Sequence, residues 1–166
     1  TRACQAGMTW QWDGVRFEIL HPDAGYRGPD NDGSCVLQVL APGGRLLIVG
    51  DLERSGEAAL LDRGNDVQAD VLVVGHHGSA GASSPAFLAA VAPRWALVPA
   101  GHGNRWGFPA AAVRRRLARQ GSVAIVSGDM GAVRVLLRPD KTIQMQSLRC
   151  RDARYWHAPA DCRVKA

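Results

Sequence analysis

The sequence predicts an α/β domain in which helices pack on the outside of a sheet. Short apolar segments typical of strands come first, and from Arg45 onward they alternate with segments of helical pattern, which is the order of β-α units. The 166 residues are 46% apolar and 21% charged, an ordinary globular composition that excludes wholesale disorder. The length suits one domain. The longest apolar runs have about five residues, whereas a membrane-spanning helix needs roughly twenty.

The first part of the chain predicts antiparallel strands. Apolar and polar residues alternate between Trp10 and Ile19 around Asp13-Gly14, a pair that favours a type I′ hairpin turn. A loop rich in Gly, Pro, Asp and Asn follows at 22–33. The next two predicted strands are Ser34–Leu40 and Arg45–Val49.

Helices and strands alternate in the rest of the chain. Leu52–Arg63 predicts a helix that ends at Gly64. Ser84-Pro85 predicts an N-cap and a first-turn proline that open a helix reaching Ala92, and Pro109 opens a third helix reaching Arg119. The predicted strands among and after these helices are Ala69–Val74, Trp95–Val98, Val123–Val126, Ala132–Leu137 and Thr142–Leu148. Residues 149–166 show no periodicity and are expected to form a tail.

The charge distribution is consistent with a polyanionic partner. Twenty Lys and Arg against fifteen Asp and Glu give a net charge of +5. The excess of positive charge lies in two zones. The first consists of the arginines at positions 114, 115, 116 and 119, and the second is residues 138–166, which hold seven basic and three acidic residues. Such zones suit nucleic acid. The alternative is a solvated, arginine-rich surface.

The four cysteines do not form a C-x-x-C pair, which argues against a zinc knuckle. Cys35 lies in an apolar run and is expected to be a buried thiol. Cys150 and Cys162 flank a polar, basic loop, where they either form a disulfide that ties down the tail or stay as two free thiols. The disulfide would favour the periplasm or an extracellular face.

Two predicted strands end in residues that bind metals. Leu46–Val49 runs into Gly50-Asp51, and Val71–Val74 runs into Gly75-His76-His77-Gly78-Ser79. Functional groups gather at the carboxyl ends of strands in open α/β sheets, and carboxylate and imidazole suit zinc or manganese. These residues therefore predict half of a metal site, with the serines and glycines after His77 available to cradle an anion. The alternative for Asp51 is the N-cap of the following helix.

A third loop combines a charge with an aromatic ring. Within Gly101–Pro109, Arg105 offers a charge-assisted contact to phosphate and Trp106 offers a stacking surface. This pair suits single-stranded nucleic acid. The alternative is an ordinary loop with a packed tryptophan.

Four blocks of sequence occur in the order and rough spacing of one known domain. They are Asn31-Asp32-Gly33-Ser34-Cys35-Val36-Leu37, Leu47-Ile48-Val49-Gly50-Asp51, Val74-Gly75-His76-His77-Gly78-Ser79 and Asn104-Arg105-Trp106-Gly107. From about Trp10 to Leu137 the chain resembles the C-terminal metallo-β-lactamase-like domain of the ComEC family of DNA-internalisation competence proteins. The resemblance implies an αββα sandwich attached to an inner-membrane channel that passes single-stranded DNA into the cell during natural transformation. It also implies that the domain itself is soluble and periplasmic.

The resemblance further implies a metal-dependent nuclease acting on the non-transported strand, with two zinc or manganese ions in the intact domain. Asp51 matches a ligating aspartate of the family and His76 or His77 a ligating histidine, so these three form the expected catalytic and metal-binding set. The expected contacts to DNA are Ser79, Asn104, Arg105, Trp106, Arg114, Arg115 and Arg116. Expected partners are single- or double-stranded DNA, the remainder of the channel protein, and a second copy forming a homodimer through exposed sheet edges.

Two features depart from the family's pattern. The upstream ligand motif His-x-His-x-Asp-His occurs nowhere in the 166 residues, and the chain begins with Thr1; we therefore expect the C-terminal part of the sandwich, taken from a longer protein and inactive alone. Phe108 stands where many members have a histidine. We divide the chain into metallo-β-lactamase-like residues 1–140 and a last strand with a basic tail, 141–166. Two other functions stay open, a non-catalytic DNA-binding or channel-docking module and a metallo-hydrolase of a small molecule.

Overall fold

The computed structural model describes residues 3–155, which fold into strands, three longer helices and several single turns. The strands are β1 Thr9–Trp12, β2 Val15–His21, β3 Val36–Ala41, β4 Gly44–Ile48, β5 Val71–Val73, β6 Trp95–Val98, β7 Val123–Val126, β8 Val133–Leu137 and β9 Ile143–Ser147. The helices are α1 Arg54–Asp62, α2 Pro85–Val91 and α3 Ala111–Arg119, with one-turn helices α4 Ser127–Met130 and α5 Leu148–Arg151 and 3₁₀ turns at Asn31–Gly33 and Gly75–Gly78.

The first seven strands form one sheet in chain order. Strands β1 to β4 pair antiparallel and strands β4 to β7 pair parallel. Short turns suffice for the antiparallel part, whereas each parallel pair needs a crossover, which α1, α2 and α3 supply. Asp13 and Gly14 both have positive φ, 47° and 77°, as a type I′ turn requires. The predicted α/β class is confirmed.

The three longer helices pack on one face of this sheet. Side chains alternate between the two faces of a strand, and one alternate set, represented by Leu47, Leu72 and Val98, is buried in a single cluster with Phe87 of α2 and Leu117 of α3. The cap of α2 is as predicted, since the Phe87 N–H donates to the Ser84 side chain. This cluster is the main core.

The opposite face of the sheet is apolar across its whole width. One register row runs Trp10, Phe17, Val39, Leu46, Val71, Trp95 and Val123. The antiparallel pair β8–β9 packs over the β4–β7 end of this face, where Val71 and Trp95 are buried. At the other end Trp10 stacks on Phe17 but stays 46% exposed, and Trp12 is 70% exposed. The layers are therefore helices, sheet and a partial second sheet.

Cys35 is not the buried thiol that the sequence predicts. It is exposed and forms a disulfide with Cys4. The segment before β1 lies along the end of β2, where the Gly7 N–H donates to the Ile19 carbonyl, and this brings Cys4 beside Cys35. Such a non-local pairing has no signal in the local sequence.

The C-terminal predictions have mixed outcomes. Strand β9 pairs with β8, so the expected division at residue 140 falls in the turn between the two strands. The expected tail starts with the single turn α5, which the Ser147 side chain caps by accepting from the Cys150 N–H. Cys150 is disulfide-bonded, but Cys162 lies outside the described residues, so its pairing stays a prediction. In residues 3–155 every helix is too short or too polar to span a bilayer.

Candidate functional site

The carboxyl ends of β4 and β5 bring Asp51 and His77 together. The His77 Nε2 lies 3.7 Å from the Asp51 Oδ1, and both side chains are about half exposed. Asp51 follows Gly50, whose φ of 57° turns the chain sharply at the end of β4. The two loops are also joined by their backbones, because the His76 N–H donates to the Gly50 carbonyl. The predicted meeting of these two loops is therefore observed.

His77 is oriented for a ligand at its Nε2 atom. Its Nδ1 lies 2.8 Å from the Pro99 carbonyl, which can only accept, so in the neutral ring Nδ1 carries the proton and Nε2 has the lone pair. Metal-binding histidines are usually fixed in this manner by a carboxylate, a backbone carbonyl or a water molecule. His76 and His77 have φ of 44° and 55°, and a non-glycine residue in the left-handed region costs of order 1–3 kcal/mol, a strain that clusters at functional sites.

His76 turns away from Asp51 toward a different carboxylate. Its Nδ1 donates to the Glu53 Oε1 at 2.6 Å, and the Asn31 amide lies 3.5 Å from the same nitrogen. Glu53 is not among the site residues predicted from the sequence. The available signal was its position two residues after Asp51, in the same loop after β4.

The loop that carries Asp51 is held by the segment before β3. The Asp51 N–H donates to the Ser34 side chain at 3.0 Å. Asp32 is 3% exposed and accepts from the Glu53 N–H at 2.7 Å and from the Ser55 hydroxyl. The alternative interpretation of Asp51 as a helix N-cap is wrong, because Glu53 occupies the N-cap position of α1. The Glu53 side chain makes no cap bond, and the Glu53 N–H donates to Asp32, which is distant in sequence.

A cavity of about 470 Å³ adjoins the two histidines. Its walls come from the turn after β5 and from the loop after β6. The lining residues are His76, His77, Pro99, Ala100, Gly101, Asn104, Trp106 and Phe108. Apart from the histidines, none of these side chains is ionisable.

The loop after β6 has its own internal brace. The Asn104 amide donates to the carbonyls of Gly101 and Phe108 and accepts from the Phe108 N–H. Asn104, predicted to contact DNA, therefore uses its amide within the loop. The Arg105 guanidinium lies 4.4 Å from the centre of the Trp106 ring, and Trp106, 64% exposed, is nearly parallel to Phe108.

Of the other residues predicted to contact DNA, two are exposed arginines and two make hydrogen bonds within the protein. Arg114 and Arg115 are exposed on α3. Arg116 reaches back to the carbonyls of Ala80, Ala82 and Ser83 and braces the loop before α2. The Ser79 hydroxyl accepts from the Gly81 N–H inside its own loop.

Asp51 and His77 supply two metal donors of the right kind. Within residues 3–155 no group of three or more His, Cys, Asp or Glu side chains is gathered closely enough to hold a metal ion. Zinc sites in proteins use three or four protein ligands. The described residues therefore fit half of a metal site.

The fold described above is that of a known superfamily. The chain belongs to the metallo-β-lactamase superfamily, which it matches over residues 6–102. Members of this superfamily usually bind metal ions.

Similar proteins indicate which family within the superfamily the chain resembles. The chain is 44% identical to "Competence protein ComA" of Neisseria gonorrhoeae over 70% of its length, 36% identical to "Recombination protein 2" of Haemophilus influenzae over 88%, and 33% identical to "ComE operon protein 3" of Bacillus subtilis over 74%. These matches confirm the resemblance to the C-terminal domain of ComEC-type competence proteins. The chain covers only 17%, 18% and 16% of those relatives' own lengths.

Proposed function

We propose that this chain is the C-terminal part of the nuclease domain of a ComEC-like DNA-uptake protein, and that the intact domain cuts incoming DNA with the help of divalent metal. The observation that carries the proposal is the pairing of Asp51 with a His77 whose Nε2 is left free by the bond from Nδ1 to Pro99. The names of the relatives, which include competence and recombination proteins, support the substrate. The parent protein's activity is inferred from these two supports.

Asp51 and His77 would hold the metal, zinc or manganese, through a carboxylate oxygen and the Nε2 atom. A bound pair of such ions supplies an activated water and stabilises negative charge on phosphate oxygens. In the parent protein the remaining donors would come from outside residues 3–155. The chain's own contribution is to fix the two donors before metal arrives, through the hydrogen bonds that the Asp51 N–H donates to Ser34 and the His77 ring donates to Pro99.

The exposed cations would attract the DNA backbone. Arg105, Arg114 and Arg115 are exposed on the loop after β6 and on α3. Contacts between arginine and phosphate release condensed counterions, so the affinity should fall steeply as salt rises. Arg116 would act indirectly, since it holds the loop that carries Ser79.

The disulfide supports a place outside the cytoplasm. Cys4 and Cys35 are bonded, and such bonds persist in oxidising compartments such as the periplasm. We propose a periplasmic domain on a membrane-embedded parent, with DNA and the remainder of the channel protein as partners. The open edges β1 and β7 of the seven-stranded sheet would also permit a homodimer. The division into metallo-β-lactamase-like residues 1–140 and a last strand with a basic tail, 141–166, stays a prediction.

The test is substitution in the intact parent protein. Asp51→Asn and His77→Gln should each lower metal-dependent cleavage of DNA by more than 100-fold, because even residues that only support ligands cost about 10- to 100-fold. The matched control is His102→Gln with Asp129→Asn, a second His–carboxylate pair 3.1 Å apart that does not line the cavity; it should retain cleavage. Equal cleavage by the Asp51, His77 and control variants would contradict the proposal.

The two other functions give different results in the same assay. A non-catalytic DNA-binding or docking module is favoured by the incomplete donor set of residues 3–155; it predicts that Asp51→Asn leaves DNA binding and transformation unchanged. A small-molecule hydrolase is favoured by the apolar wall of the cavity; it predicts hydrolysis of a small phosphodiester reporter that excess DNA does not inhibit.

A further inference from the structure

The cavity beside His77 has two unlike walls. One wall consists of the imidazoles of His76 and His77, and the other consists of the rings of Trp106 and Phe108. Pro99, Ala100 and Gly101 also line the cavity. A group that fills this cavity must present flat apolar faces to the rings while remaining close to the paired Asp51 and His77.

The aromatic wall is held in place before any ligand binds. The three hydrogen bonds of the Asn104 amide close the loop on either side of Trp106. The Phe108 ring packs edge-on against His76, with centroids 6.1 Å apart, and its plane lies 16° from that of Trp106. A surface that is already ordered loses little conformational entropy on binding, so its contacts contribute more to affinity.

A cation stands at the outer side of this wall. Arg105 lies against the Trp106 ring and is itself exposed, so its guanidinium can reach solvent beside the cavity. The surface therefore offers an aromatic platform, a positive charge beside it and a metal-donor pair at the histidine wall. A nucleotide has matching parts, since a flat base is joined through a sugar to a phosphate.

We propose that the cavity binds one unstacked nucleobase of a DNA strand, with the base on Trp106 and with flanking phosphates near Arg105 and near Asp51 and His77. The inference rests on the proposed function, since it names the form of DNA that this site takes. A base inside a duplex is stacked on both faces and is not available to Trp106 without being extruded. The site therefore selects single strands and frayed ends over intact duplex.

The test measures DNA affinity in the presence of EDTA, so that no cleavage is needed. The protein is the 166-residue chain, and the probes are a short oligothymidylate, an abasic oligomer of the same length and charge, and a blunt duplex. Trp106→Ala should weaken binding of the oligothymidylate roughly 5- to 100-fold, the usual effect of removing one stacking side chain. It should leave the abasic oligomer unchanged, because phosphate contacts are kept.

Two further variants keep the result interpretable. Trp106→Phe retains a ring and should restore most of the lost affinity, which a merely misfolded loop would not do. Trp12→Ala removes an equally exposed tryptophan from the far edge of the sheet and should change nothing. The unaltered chain should bind the oligothymidylate more tightly than the duplex.

Each outcome bears on one proposal separately. Equal loss on the base-containing and abasic oligomers, or no loss with Trp106→Ala, would overturn the base pocket even if the parent protein cleaves DNA. A base-dependent loss in a parent protein that never cleaves DNA would leave the base pocket standing and remove only the nuclease. Competition by a small aromatic ester but not by nucleotides would assign the cavity to the small-molecule function and overturn the inference.

Discussion

Replacing Asp32 with alanine removes the buried carboxylate that holds the loop of Asp51 in position. Asp32 accepts two hydrogen bonds, from the Glu53 N–H and the Ser55 hydroxyl, and both donors lie at the start of α1. A hydrogen bond to a charged acceptor contributes about 1.5–3 kcal/mol. Losing both should lower the free energy of unfolding by about 3–5 kcal/mol, somewhat less than two full bonds at the upper limit, because Ser55 is exposed and its hydroxyl can bond to water instead.

Urea denaturation of the 166-residue chain measures this loss. With a slope of about 2 kcal/mol per M urea, the midpoint should fall by about 1.5–2.5 M. Asp32→Asn keeps one acceptor oxygen and should give a smaller shift. The matched control is Asp30→Ala, because Asp30 lies two residues away, is exposed and makes no side-chain cap bond; its effect should stay below about 0.5 kcal/mol.

The reasoning also predicts a consequence for the site. In the intact parent protein, Asp32→Ala should reduce cleavage about 10- to 100-fold, because supporting residues of metal ligands have effects of that size. If Asp32→Ala and Asp30→Ala had the same midpoint, Asp32 would not be the group that holds this loop, and the hydrogen-bond account of the site would be refuted.

Two further predictions concern stability. The His21 ring lies between the Asp32 carbonyl and the Arg63 guanidinium, and burial lowers its pKa. The folded chain therefore favours the neutral ring. The resulting contribution to the free energy of unfolding is fully present above pH 6.5 and is lost as the pH falls through the lower pKa of the folded chain. The urea midpoint should therefore drop between pH 7 and pH 5, less steeply in His21→Asn, and identical slopes would contradict this. Cys4→Ser should lower the free energy of unfolding by about 3–4 kcal/mol, since the disulfide closes a loop with a sequence separation of 31. Thermal unfolding measures the loss, and an unchanged transition temperature of the unaltered chain in the presence of a reductant would contradict the prediction.

Local signals in the sequence were sufficient for most elements. The bounds of β6 and β7 are those predicted, because an apolar run ends at turn residues on both sides. The serine and proline that open α2 also act as predicted. Helix α1 begins two residues later than predicted because Leu52 and Glu53 belong to the loop held by Asp32.

The parts of the site that were not predicted all depend on contacts between distant segments. Glu53 gains its place from His76, 23 residues away, and Cys35 gains its partner from the N-terminal segment. Arg116 was predicted to bind DNA from charge alone, whereas its carbonyl contacts are 33 to 36 residues away. A pattern read within a few residues has no information on such pairings, so composition and spacing could locate Asp51 and His77 but not what holds them.

The position of the site follows from the change of strand direction at β4. Strand β4 is antiparallel to β3 and parallel to β5. The first residues of β3 therefore lie beside the last residues of β4 and β5. The segment before β3 therefore meets the loops that leave β4 and β5, and Asn31, Asp32 and Ser34 contact His76, Glu53 and Asp51 respectively. If β3 were parallel to β4, the segment before β3 would lie at the other end of the strands, away from the loops that carry Asp51 and His77. The antiparallel half of the sheet thus supplies the support and the parallel half supplies the donors, and neither half alone could form this site.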